Sequence, residues 1–159
     1  MSRTVPVSFG DRLFWAYDVG LGVLFAEAVR IAEKSPGESR PPWWGGLVRQ
    51  LRVHAVVGAS LAVALDELSV EERGAVLGWV ADAGAALTAR GGVSLAEVSR
   101  WNVLDGESIH LRGARHVAPG PLVELGQAMS DLVDNALPPA PEGRYWTFGT
   151  PDGRVIQGG

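Results

Sequence analysis

The fold turns on residues 8–34, SFGDRLFWAYDVGLGVLFAEAVRIAEK. Ser8 with Asp11 three residues on matches a capping box, with Asp in place of the usual Glu. The stretch that follows is apolar almost all round: Leu13, Phe14, Trp15, Tyr17, Val19, Leu21, Val23, Leu24, Phe25, Val29 and Ile31. This predicts one long helix from Phe9 to Lys34, and a helix apolar on every side belongs at the centre of a fold. Ser35-Pro36-Gly37 stops it. Gly20-Leu21-Gly22 lacks a third glycine and falls mid-helix, so it reads as a packing surface rather than a nucleotide loop.

Outward from this segment, residues 35–46 form a Pro/Gly-rich loop, expected to be mobile, that carries Trp43-Trp44. A second helix is predicted from Leu47 to Glu67, amphipathic at first and nearly all apolar from Val53. Ser69 with Glu72 is a full capping box and opens a third helix, Val70 to Ala89, stopped by Gly91-Gly92. Ser94 and Glu97 repeat the signal for a short turn.

The period then changes. Arg100 to Arg112 reads as a β-hairpin. A three-residue loop of Leu104, Asp105 and Gly106 places Trp101, Val103, Ile109 and Leu111 on one face. Arg100, Asn102, Ser108, His110 and Arg112 fall on the other. A two-residue Asp105-Gly106 loop mixes the faces, so the first register is preferred. Leu122, Leu125, Met129, Leu132 and Ala136 mark the buried face of a fourth helix, Leu122 to Leu137, with Glu124, Gln127, Asp131 and Asp134 opposite. A second hairpin pairs Tyr145–Thr150 with Arg154–Gln157 around Pro151-Asp152-Gly153. The expected fold is α+β and helix-dominated. About four main helices pack on a small antiparallel sheet built from the two hairpins, in one globular domain spanning residues 1–159.

Composition bounds the function. The chain has 159 residues, 47% hydrophobic and 20% charged, enough apolar material for a core. It has no cysteine, which excludes disulfides, cysteine-ligated metals and a thiol nucleophile. A net charge of −4 and a pI near 5.3 argue against nucleic-acid binding. No signal peptide is evident, and the apolar runs fall short of the ~20 residues that span a bilayer, so a cytoplasmic location off the membrane is expected. Of the 14 basic residues only Lys34 is lysine. With Ala, Gly, Val and Pro abundant and Ile and Asn scarce, that bias is the mark of a GC-rich coding sequence.

No G-x-S-x-G, H-E-x-x-H, Walker A or EF-hand motif is present. His54, His110 and His116 are too few and too scattered to advertise a metal, and nothing implies a cofactor. Three places could carry chemistry. Asp18 and His54 are polar residues on apolar helices; paired in the core, the carboxylate would fix and strengthen the imidazole as a base. The Arg100, Asn102, Ser108, His110 and Arg112 face, continued by Arg115 and His116, suits a carboxylate, a phosphate or an acidic protein surface. Trp43 and Trp44 fit no buried stripe and suit an interface. The favoured reading is a small acidic interaction protein binding a macromolecular partner, of the immunity or regulatory-accessory type. The alternative is a small enzyme or ligand-binding domain using Asp18 and His54 for acid–base chemistry on a small organic molecule. A homodimer through the first two helices is compatible with both.

Overall fold

A computed structural model of the chain describes residues 4–58 and 61–158. Its first element is a strand, β1 (Thr4–Phe9), followed by β2 (Arg12–Tyr17). The two pair antiparallel, with Phe9 opposite Arg12 around the two-residue turn Gly10-Asp11. Gly10 has φ +65°, the glycine-first geometry of a tight hairpin turn. The predicted capping box at Ser8 and Asp11 is therefore a hairpin, and helix α1 begins only at Asp18 and runs to Ala32. Residues Leu13 to Tyr17 contain no polar residue, so their period of two is invisible and they merge with the apolar helix behind them. No linker separates β2 from α1.

The remaining helices are α2 (Trp44–Val57), α3 (Val70–Ala89), the short α4 (Leu95–Ser99) and α5 (Pro119–Val133). The predicted second helix is cut at Gly58, whose φ of +64° ends it. The chain then forms β3 (Val63–Ala64) and a 3-10 turn, Leu65–Glu67. Helix α3 has the expected bounds, with both halves of the Ser69/Glu72 box in place. Short strands β4 (Val93–Ser94) and β5 (His116–Val117) make a separate two-stranded sheet. At the C-terminal end β6 (Arg144–Thr150) and β7 (Gly153–Gly158) form the expected hairpin, with Trp146 opposite Ile156.

The main sheet has the order β3-β1-β2-β6-β7. It joins two hairpins, but the first is β1–β2, not residues 100–112. They meet through β2 and β6, which run parallel with Ala16 opposite Phe148. With β1 also parallel to β3, the sheet is mixed rather than antiparallel.

Segment 100–112 contributes only an isolated bridge, Leu104 to Glu107. Asp105 (φ +50°) and Gly106 (φ +86°) both take positive φ, so the turn is the two-residue one that the face argument disfavoured. Val103, Ile109 and Leu111 are nevertheless buried and Trp101 half-buried. The apolar set was legible; regular strand pairing did not follow from it.

Helices α1 and α5 lie on one face of the sheet, α3 packs behind them, and α2 flanks α1. Every residue of α1 from Asp18 to Val29 is buried. Close approach explains its glycines: a Cβ at Gly20 would sit 2.5 Å from the Gly149 carbonyl oxygen, and one at Gly22 2.9 Å from that of Ala55. Enclosed in this way, α1 is the central helix of the fold. On the covered side of the sheet Val5, Val7, Phe14, Ala16 and Phe148 are buried, with the Phe14 and Phe148 rings edge to face at 5.2 Å. On the opposite side the same register places Pro6, Leu13, Trp15, Thr147 and Val155. Trp15, a core residue had the segment been helical, lies on this opposite side, half-buried. Among the described residues, no helix is long and apolar enough to cross a membrane.

Candidate functional site

The residues singled out from sequence divide among three surroundings. Asp18 opens α1, its side chain 5% exposed, and forms an ion pair with Arg112. The positive end of the helix supports that carboxylate as well. Its Oδ1 has no hydrogen-bond partner among the described residues. His54, on α2, instead meets the Phe25 ring edge-on at 6.0 Å. Burial pushes its pKa below the ordinary value, and a hydrogen bond to the Leu61 backbone works weakly the other way. It lines an open groove of about 250 Å³ with Gln50, Glu67 and apolar side chains of α2 and residues 61–68; Asp18 is not part of that groove. The carboxylate–imidazole pair does not form, because Arg112 takes the carboxylate.

Trp43 and Trp44 are both half-buried against the core. Arg40 stacks on the Trp44 ring at 3.8 Å and donates to the Glu33 carbonyl at 3.0 Å, tying the 35–46 loop back onto α1.

The polar set on residues 100–112 is dispersed. Arg112 turns to Asp18. Ser108 donates to the Val98 carbonyl at 2.6 Å, and the Asn102 side chain accepts from the Gly106 amide at 2.9 Å. His110 is exposed. Arg100 and Asn102, however, border a cleft of about 270 Å³ between α1, α2 and this segment. Its other walls are Ala26, Val29, Arg30, Glu33, Arg52, Trp101 and Val103.

Three guanidinium groups and one carboxylate line this cleft, in a chain of net charge −4. Arg52 is fixed by Glu33 at 2.8 Å and by the Val103 carbonyl at 2.8 Å. Arg30 lies over the Trp101 ring at 5.7 Å. Behind it, buried Glu27 receives Arg90 at 2.5 Å and Arg30 at 3.5 Å, while Glu97 holds Arg90 at 3.0 Å. The Glu27 hydrogen bond is the main cause of a raised Arg90 pKa, which keeps that cation charged. Arg100 has no ion pair among the described residues and is exposed at the rim. Fixed donors beside an aromatic wall hold an anionic group in a set orientation at little entropic cost.

Sequence reasoning found Arg100 and Asn102 but missed Arg30, Glu33, Arg52 and Glu27. A signal existed for the last. Glu27 is a charge inside an apolar helix, as conspicuous as Asp18, with Arg30 one turn on. Among the described residues no group of three or more acidic or histidine side chains could hold a metal ion. No family model, curated protein or solved structure matches this chain.

Proposed function

We propose that this protein is an interaction module that receives an acidic segment of a protein partner in the cleft between α1, α2 and residues 100–112. The observation that supports this reading is the convergence of Arg30, Arg52 and Arg100 around Trp101, inside a chain whose overall charge is negative. A carboxylate entering there meets the free Arg100 guanidinium and the Asn102 side-chain amide, with Trp101 and Val103 as apolar footing. Arg52 is held by its own partners and acts as a fixed positive wall. The location fits the immunity or regulatory-accessory type of protein, which works by occupying a partner. The acid–base alternative is weaker, since Asp18 and His54 lie in different surroundings.

The test is calorimetric titration with a glutamate-rich peptide carrying one aromatic residue, against its lysine-rich counterpart. Binding of the acidic peptide alone is expected, weakening about tenfold in Arg100→Ala and with added salt. Equal binding to wild type and Arg100→Ala, or preference for the basic peptide, overturns the proposal.

A further inference from the structure

A pocket of about 140 Å³ opens where the parallel strands β2 and β6 end, and it shares no residue with the cleft. The pairing of Ala16 with Phe148 brings Tyr17 beside Gly149. Both line the pocket, with Thr150 next along β6. The first turn of α1 supplies Val19 and Gly20 as a buried part of the wall. The rest comes from residues 114–121, which hold β5 and the start of α5. The carboxyl ends of parallel strands are where open sheets place ligands, because the chain leaves them in different directions and a crevice remains.

Small residues keep this space open. Gly20, Ala114, Ala118 and Gly149 carry at most a methyl group. Gly149 has φ +88°, so a larger residue there would be strained. The lining is mostly apolar, and no charged side chain borders it among the described residues. A charged guest would lose water with nothing to pair it, so an uncharged one is favoured. His116, exposed and part of the lining, supplies a directed polar group. Its Nε2 lies 3.0 Å from the Gly91 carbonyl, which can only accept, so Nε2 carries the proton. The uncharged ring then has Nδ1 as a bare acceptor, and Nδ1 has no hydrogen-bond partner among the described residues. Glycine again permits the approach: a Cβ at Gly92 would come within 3.1 Å of that Nε2.

We propose that this pocket binds a small uncharged aromatic molecule carrying one hydroxyl group, a simple phenol. Volume sets the size, since an apolar cavity of about 150 Å³ takes one benzene ring. Val19, Val117, Pro121 and Pro151 give the ring its apolar contacts, and the hydroxyl donates to His116 Nδ1. The Thr150 hydroxyl is already spent on the Gly153 carbonyl at 2.6 Å, so His116 is the acceptor that orients the guest. A carboxylate finds no cation in this lining, which sets the pocket apart from the arginine-lined cleft. A guest of about eight heavy atoms with one hydrogen bond implies a dissociation constant of about millimolar order.

The experiment is an NMR titration of the backbone amides with p-cresol, set against toluene and benzoate, each to about 5 mM. p-Cresol is expected to shift the Val19, Gly20 and Gly149 amides along a binding curve. Toluene, which lacks the hydroxyl, should bind about fivefold more weakly, and benzoate should not bind there. Ala118→Leu fills the space from an exposed position and should abolish the shifts, with thermal unfolding as its folding control. His116→Phe should bring p-cresol down to the level of toluene, and Arg100→Ala should leave it unchanged. Absence of those shifts in the wild type at about 5 mM p-cresol overturns the proposal. So does benzoate binding as well as p-cresol, a folded Ala118→Leu that binds as before, or shifts confined to the cleft or the His54 groove. If Ala118→Leu fails to fold, the ranking of the three ligands on the wild type decides alone.

Discussion

Phe14 and Trp15 are adjacent in one strand and live in opposite worlds. Phe14 faces α1 and α5, fully buried and edge-on to Phe148. Trp15 faces the opposite side, half-buried, with Pro6 and Thr147 as its cross-strand neighbours. Both are large aromatics, so hydrophobicity does not decide which face becomes core. Topology does: β2 passes straight into α1, which turns back over one side of the sheet.

The sharpest test of this contrast is a pair of truncations. Phe14→Ala should cost about 3–5 kcal/mol by denaturant titration, because it leaves a cavity between sheet and helices. Trp15→Ala should cost about 1 kcal/mol, since its site is open to solvent on one side. Equal losses would break the distinction between the faces. A second test removes a support of the covered side. Arg112→Ala strands the buried Asp18 carboxylate and should cost about 2 kcal/mol, less than a fully buried pair because Arg112 keeps access to water. Asp18→Asn together with Arg112→Ala should recover part of that loss.

The helix layer should also respond to pH. Burial holds the folded pKa of His54 below its ordinary value near 6.5. Between those two values the unfolded chain binds the proton more readily, so stability rises with pH in that window and is lost as pH falls through it. Melting temperatures taken from about pH 7 down to about pH 5 should therefore fall less steeply in His54→Gln. An unchanged slope would show that His54 is not the group responsible. This is the smallest of the expected effects, and the other face of the sheet, where the titratable described strand residues are Tyr17 and Tyr145, should not share it.

How much of this was legible depended on local signals. Helix α3 carries its own start in Ser69 and Glu72, and the C-terminal turn its own chemistry in Pro151-Asp152-Gly153, so both were readable. The N-terminal hairpin was not. Its turn is the pair Gly10-Asp11, and from Leu13 on its second strand is apolar on both sides. Period-two burial shows only when one face is polar, and the apolar character of the outer face erased that contrast. At the cleft, Arg100 and Asn102 were visible from their segment. Arg30 and Arg52 became partners only through the packing of α1 on α2, a relation no local pattern records.

The parallel contact between β2 and β6 has one more consequence, for the order of assembly. Trp15 is made early in synthesis and its neighbour Thr147 only near the end of the described chain. Until then the inner edge of β2 has its backbone donors and acceptors unpaired while α1, greasy on every side, already needs cover. Closing so long a loop is slow relative to helix formation. A nascent chain stopped before residue 144 would present an open strand edge beside an apolar helix, a state that favours aggregation or chaperone capture.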